Sequence, residues 1–405
     1  MNIVYVTNEY IDSNTFKVFD GGLANYLYKI TTYLAKLGHN ITVIVANSSV
    51  DKQADYNGVH VFWVSNIFEK TLLQKILFAI SSKKMRTKMR NDAIWNKVNK
   101  LIKKLHEEKT VDIIQYTNCL AQFTGKYLNN IPYCIRISSY AKLWQKYYNY
   151  SKEEIKNEIS QFKNAEFLYG PSKYVADYIK KDLKLKQEIK IIETPFIPSF
   201  YEEDCRLSEE ITQKTNNKYL LFYGTISALK GAVEISNSIY QILSEYKDLY
   251  LVIIGKQLPI GNELPVDIIK NSAKEHAQRI IWYDRQQHKT LFPIIKNAFA
   301  VILPSRVDNL PNTCIEAMSL KKIVIGSRGA SFEQLITNGE NGLLCEANNS
   351  QSIIEAVNKL MNMPDLEITN MEQKAYERTL LLAPEKISSV VLDYYNHVIK
   401  NWRKK

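Results

Sequence analysis

The sequence contains no C-x-x-C pair, and its five cysteines (Cys119, Cys134, Cys205, Cys314 and Cys345) are scattered and odd in number. This excludes a zinc ribbon and a thioredoxin-type redox site, and it fits reduced thiols in a cytosolic chain. No G-x-G-x-x-G fingerprint occurs, so a dinucleotide site of that kind is not expected. The six histidines (His39, His60, His106, His276, His288 and His397) form no H-x-x-x-H pair, and no acidic cluster offers Mg²⁺ ligands. No metal is therefore expected. No apolar run approaches the ~18 residues that a membrane span needs. The chain opens directly on the strand-like run at 2–7, without the basic and apolar regions of a secretory signal. Aromatic residues are not interleaved with the lysines as a stacking motif, so nucleic acid is not an expected partner.

What is present is ordinary globular composition over 405 residues, 45% apolar and 23% charged. At roughly 100–200 residues per domain, that length implies two or three domains. Lysine and arginine number 53 against 42 acidic residues, a net charge of +11 that suits an anionic partner.

Strand and helix signals alternate throughout. Short apolar runs at 2–7 and 41–46 flank a segment in which Leu23, Leu27, Ile30, Leu34 and Leu37 recur at helical spacing, ended by Gly38. Further strand readings fall at 59–64, 113–116, 133–137, 166–169 and 189–192, with a helix between the second and third of these. The stiff segment 194–198, with Pro195 and Pro198, reads as a domain boundary. Alternation then restarts, with strands at 219–223, 251–254, 280–282, 300–303, 323–325 and 343–345. Helices follow at 350–361, 367–381 and from Pro384 onward.

Segment 67–109 stands apart. Leu72, Leu73, Ile76, Leu77 and Ile80 form one apolar stripe. The basic run Lys83, Lys84, Arg86, Lys88 and Arg90 follows, and then a helix with Lys97, Lys100, Lys103 and Lys104 on one face. Two solvated surface helices satisfy this pattern, and so does a peripheral contact with an anionic membrane.

The densest chemistry lies between Pro304 and Glu346. A strand ends at Pro304, a loop carries Asp308, Asn309 and Asn312, and a short helix holds Glu316. Free amides in such a loop and at the helix start suit an anion. Carboxylates do not bind phosphate, so Asp308 and Glu316 read as acceptors for sugar hydroxyls, Glu316 for a ribose diol and Asp308 for a second sugar. Together these features suggest a nucleotide-sugar. Caps at a helix start would use the same acids. Elsewhere, Gly21-Gly22 allows close backbone approach to a ligand or makes a plain turn. Lys230, closing the Gly224–Gly231 loop, can neutralise a diphosphate or sit as a surface lysine.

The 304–346 stretch resembles the donor-binding signature of retaining glycosyltransferases of the GT-B fold, family four. The matching residues are Pro304-Ser305, Asp308, Pro311-Asn312, Glu316-Ala317-Met318 and the loop 329–333. The 224–231 loop, with Lys230-Gly231, is similar to the same family's phosphate loop. This chain carries Asp308 where the family usually has Glu and Thr225 where it has Arg. Thr194 stands where Asn is usual, and Ser138 and Ser139 where a His often stands.

The resemblance implies an α/β chain of GT-B fold, with two facing Rossmann-like domains and a cleft between them. Residues 1–197 would bind acceptor and 198–383 the nucleotide-sugar, while 384–405 would form a helix crossing back to the first domain. It implies Lys230, Asp308 and Glu316 as catalytic residues. The implied donor site is Gly22, Gly224, Thr225, Lys230, Asn309, Leu310, Pro311, Asn312 and Glu316. Gly21, Arg136, Ser138 and Tyr140 would face the acceptor. Retention would come from attack on the leaving-group face of the donor, with no protein nucleophile, metal or cofactor beyond the donor, for which a UDP-sugar is favoured. The implied acceptor is a glycan or a polyprenyl-diphosphate-linked glycan, in bacterial surface polysaccharide synthesis. The implied location is the cytoplasm, at the inner face of the membrane. The alternative is a non-catalytic GT-B subunit that binds sugar or a partner protein.

Overall fold

The computed structural model describes residues 1–19, 21–67, 78–119, 128, 130–197 and 202–402. The chain divides into two compact units. The first comprises Met1–Pro171, Val175–Pro195 and the segment from Pro384, and the second Ser172–Tyr174 and Phe196–Ala383.

The first unit is built on an eight-stranded sheet. Its strands are β1 (Asn2–Thr7), β2 (Asn40–Ser48), β3 (Lys52–Tyr56), β4 (Val59–Ser65), β5 (Ile113–Thr117), β6 (Tyr133–Arg136), β7 (Leu168–Gly170) and β8 (Ile189–Ile191). The spatial order is β3-β4-β2-β1-β5-β6-β7-β8, parallel throughout except for the antiparallel β3–β4 pair. All of β5, and β1 from Ile3 on, is buried, as continuous apolar strands covered on both faces require. β3 was not expected. Its sequence KQADY is polar and mostly exposed, which suits an edge strand. It joins β4 through Asn57-Gly58, both at positive φ (52° and 79°), the backbone that a two-residue hairpin turn needs.

The helix Gly22–Lys36 buries Leu23, Leu27, Ile30 and Leu34 against this unit. Leu37, which the spacing included in that stripe, is instead the exposed C-cap, because the helix ends before Gly38 at φ 85°. The helix Lys83–Glu108 buries Ile94, Trp95, Val98 and Ile102. One of its expected surface lysines turns inward. The Lys97 ammonium donates to Asp51 Oδ2 (3.2 Å), Ser65 Oγ (3.0 Å) and the Ile67 carbonyl (3.1 Å), which together supply the acceptors that a half-buried cation needs. The stripe of Leu72, Leu73, Ile76 and Leu77 lies outside the described residues, as does most of the helix expected between β5 and β6. The last helix, Pro384–Asn401, packs in the first unit. Its Tyr394 hydroxyl donates to the Leu168 carbonyl (3.0 Å), and its Tyr395 hydroxyl to Gln115 Oε1 (2.8 Å).

The second unit carries a six-stranded, wholly parallel sheet. Its strands are β9 (Tyr219–Tyr223), β10 (Tyr250–Ile254), β11 (Ile280–Tyr283), β12 (Ala300–Leu303), β13 (Val324–Arg328) and β14 (Leu343–Glu346), in the order β11-β10-β9-β12-β13-β14. β9 has β10 on one side and β12 on the other, so the chain reverses its winding direction there. In open α/β sheets ligands sit outside the carboxyl ends of the strands at such a switch point. The two loops singled out by sequence, 224–231 after β9 and 304–311 after β12, both leave the sheet at this place.

Candidate active site

The two loops are locked together by backbone. Residues 227–231 form a tight turn in which Gly231 N–H donates to the Ala228 carbonyl (3.2 Å) and Ala232 N–H to the Ser227 carbonyl (3.1 Å). Gly231 takes φ 88°, and a Cβ there would lie 2.1 Å from the Pro304 carbonyl oxygen, so only glycine fits. Next to it, Arg306 N–H donates to the Leu229 carbonyl (2.8 Å). From the other side, Ser327 Oγ donates to the Ser305 carbonyl, and Ser331 Oγ to the Asp308 carbonyl (2.9 Å).

This clamp brings Lys230 to Asp308. The ammonium lies 2.5 Å from Asp308 Oδ2, and Oδ1 accepts the Asn309 N–H (2.9 Å). Both side chains are part-buried, 32% and 14% exposed respectively. Each carboxylate oxygen keeps a further lone pair, so Asp308 can still accept a hydroxyl. Beyond Leu310 and Pro311, both buried, the helix Asn312–Ser319 begins without a side-chain cap, which leaves its first amides to an outside acceptor.

Glu316 points to a neighbour that the sequence reading missed. His288 Nε2 stands 3.5 Å from its carboxylate, and the imidazole packs on Phe292 at 5.1 Å. Tyr223 closes the same helix from the sheet side by donating to the Thr313 carbonyl (2.6 Å). Burial, and then the nearby Glu316 carboxylate, hold its phenol well above the usual range. Gly224, at φ 109°, lies against Thr313, while Thr225 is exposed. Two arginines of the unit are held in ion pairs. Arg306 pairs with the buried Glu234 (2.6 Å), and Arg328 with Glu346 (3.1 Å).

The remaining sequence-derived residues lie in the first unit. Gly21 precedes the helix Gly22–Lys36 in extended backbone (φ 166°), which any residue adopts. A Cβ there would meet the Glu9 carboxylate at 3.4 Å, and burial raises that carboxyl above its ordinary range. Arg136 ends β6, and its Nη1 donates to Ser138 Oγ (3.1 Å). The Tyr140 ring is fully buried with its hydroxyl on Asp182 (2.5 Å), so it supports the loop from beneath rather than offering a face to a sugar.

Loop 138–141 is organised by a carboxylate that no local pattern announced. Glu158, 5% exposed, accepts from Asn118 Nδ2 (2.7 Å) and from Ala141 N–H (2.6 Å), and Asn118 Oδ1 in turn accepts Ser138 N–H (2.7 Å). Burial pushes the Glu158 carboxyl up to about 7, against these two hydrogen bonds, which favour the anion. Between the ordinary value and 7, the folded protein holds a proton that the unfolded chain has released. Stability therefore falls as pH rises through that window. Glu158→Gln removes the titration, so its melting temperature relative to the parent should rise between about pH 5 and about pH 8. Parallel melting curves across that range would show that Glu158 does not titrate there.

Among the described residues, no group of three or more His, Cys, Asp or Glu side chains gathers as a metal site, and no helix is long and apolar enough to cross a membrane.

Two units on parallel Rossmann-like sheets, with the switch-point loops just described, define the GT-B fold. Within that fold, residues 206–378 match the family described as Glycosyl transferases group 1. Sucrose-phosphate synthase from Thermosynechococcus elongatus superposes with a TM-score of 0.74 at 14% identity, over 99% of this chain and 100% of that one. Anabaena Alr3699/HepE, in complex with UDP, superposes with a TM-score of 0.67 at 13% identity, over 98% and 100%. An uncharacterized glycosyltransferase of Haemophilus influenzae is 29% identical over 157 residues, 38% of this chain and 42% of that protein. The capsular polysaccharide biosynthesis glycosyltransferase CapM of Staphylococcus aureus is 24% identical over 171 residues, 42% and 44% respectively. The matches span between 40% and 57% of the first curated relatives.

Proposed function

We propose that the protein is a retaining glycosyltransferase that moves a hexose from a nucleotide-sugar, a UDP-sugar first among candidates, to a glycan or lipid-linked glycan in surface polysaccharide synthesis. The observation that carries this reading is the clamp of the 224–231 and 304–311 loops at the switch point, which presents Lys230 and Asp308 beside an uncapped helix start. In this reading the donor diphosphate lies over those amides and draws the Lys230 ammonium from Asp308. Asp308 then accepts a hydroxyl of the transferred sugar, and Glu316 the ribose diol. The acceptor oxygen attacks the anomeric carbon on the leaving-group face, the bond to phosphate breaks, and the acceptor proton passes to the departing phosphate. The protein supplies position and electrostatics, with no metal. The family match over 206–378 and the UDP-bound state of the Anabaena neighbour support the donor class, and CapM supports the polysaccharide setting.

Thermal-shift titration with UDP-, GDP-, ADP- and dTDP-sugars tests the donor site. A donor at about 100 times its Kd should stabilise the fold by about 2.7 kcal/mol. Glu316→Ala is expected to fold normally and to lose most of that shift. Equal shifts in parent and variant would remove Glu316 from the donor site.

A membrane-facing role for the first unit belongs to the same reading. The helix Lys83–Glu108 leaves Lys83, Lys84, Lys88, Arg90, Lys100 and Lys103 exposed. Each basic residue near an anionic surface contributes about 1 kcal/mol at best, screened by salt. The protein should sediment with phosphatidylglycerol vesicles at low salt. Replacing Lys83, Lys84, Arg86, Lys88 and Arg90 by Gln should release it without unfolding. Parent protein left in the supernatant at low salt would remove the membrane contact from the account.

A further inference from the structure

We propose that Arg136 is the recognition residue for an oxyanion of the phosphate class carried by the acceptor. The inference rests on the transferase reading only for what carries the phosphate.

Arg136 is the last residue of β6, at the carboxyl end of the first unit's sheet, where open α/β sheets bind their ligands. It is 3% exposed. Its guanidinium lies 3.6 Å from the centroid of the Tyr26 ring, and Nη1 donates to Ser138 Oγ. Nε is buried, and among the described residues it has no hydrogen-bond partner and no carboxylate pairs with the group.

A guanidinium stays charged in proteins, and burying one without a counter-charge is costly. The groups around it do not supply that charge. Tyr26 donates to or accepts from Tyr169 (3.1 Å), and Tyr169 bonds in turn to Gln115. Burial holds the phenols of Tyr26 and Tyr169 above their usual range, so they stay neutral at neutral pH. The Cys134 thiol is pushed up in the same way. Glu158, beneath the adjoining loop, is engaged by Asn118 and Ala141 instead.

The result is a stacked, oriented guanidinium with an unused Nε–H. The edge formed by Nε and an Nη is the side-on fork that matches two oxygens of a phosphate. Packing against Tyr26 fixes its plane, so little freedom is lost on binding.

The test uses inorganic phosphate as the probe, against chloride at equal ionic strength, with the whole protein. Binding is read by calorimetry in the parent, in Lys230→Ala (to silence the donor loop), and in Arg136→Gln and Arg136→Lys. The proposal expects Lys230→Ala to retain phosphate binding within about twofold, Arg136→Gln to lose it tenfold or more, and Arg136→Lys to fall between them. In the parent, the Arg136 Nε–H resonance, identified by its loss in Arg136→Lys, should shift as phosphate is added. This readout stands even if Arg136→Gln does not fold. Phosphate binding that vanishes in Lys230→Ala, that is unchanged in Arg136→Gln, or that leaves the Nε–H resonance unmoved overturns the proposal. None of these readouts requires turnover, so an active enzyme without this site and an inactive protein with it are told apart.

Discussion

Lys230→Ala is expected to lower kcat by about 100- to 1,000-fold, with a much smaller change in KM. That is the loss seen when one preorganised donor to a developing negative charge is removed. The charge on the leaving diphosphate grows as the glycosidic bond breaks, so an ammonium there helps the transition state more than the bound ground state. The ion pair with Asp308 makes the effect specific. In the free protein Lys230 already has a partner at 2.5 Å, and the donor must compete for it. Removing the lysine therefore leaves a carboxylate that is only 14% exposed without its cation. A stability loss of about 1–3 kcal/mol should accompany the kinetic one, between the values typical of exposed and buried pairs. Asp308→Asn in the same chain should restore the stability and not the rate, a non-additivity that a double-mutant cycle reads directly. A change confined to KM would assign Lys230 to ground-state binding alone.

Gly231→Ala should be a severely damaging single-methyl change in the site. The added Cβ would stand 2.1 Å from the Pro304 carbonyl oxygen and 2.7 Å from its carbon, and φ is 88°. Backbone lies on both sides of this contact, so no flexible side chain can give way. Either the turn moves off the 304–311 loop or that loop shifts, and the Lys230–Asp308 pair opens in both cases. A cost of about 3 kcal/mol or more is expected, lowering the melting temperature of the second unit by roughly 6–12 °C, with activity lost at temperatures where the fold persists. Gly261→Ala is the control. Its φ of 64° carries the same backbone strain, but nothing lies within 4 Å of the added carbon, so about 1–2 kcal/mol is expected. Equal losses in the two variants would mean that close approach to Pro304 does not hold the loops together.

The buried strands were legible in the sequence because a parallel sheet covered on both faces writes its position as unbroken apolar runs. β5, β9 and β12 are wholly buried. The turn that ends at Gly231 was legible as a glycine after a lysine in a short loop, and the structure supplies the reason, a backbone contact with Pro304. The polar edge strand β3 was not read, although Asn57-Gly58 signals its hairpin. The helix Lys152–Asn164 was missed despite the capping box of Ser151 and Glu154, which needed only a look three residues ahead. The pairings that define the site were beyond reach for a different reason. Lys230 and Asp308 are 78 residues apart, Arg306 and Glu234 are 72 apart, and Asn118 and Glu158 are 40 apart. Local periodicity carries no record of contacts made by strand order, and His288 gave no sign of Glu316 until β9, β11 and β12 were placed. The Leu37 error was local, because one apolar residue at helical spacing fell just past the last turn.

The most direct test of the account is release of nucleoside diphosphate from UDP-, GDP-, ADP- and dTDP-sugars, followed with and without a bacterial lipid extract as acceptor, in parent and Lys230→Ala protein side by side. The account predicts release from one donor class above the enzyme-free rate, faster with the extract, and reduced about 100-fold or more by Lys230→Ala. Release from none of the four, by protein that still melts cooperatively, would contradict it and leave a sugar-binding subunit without catalysis.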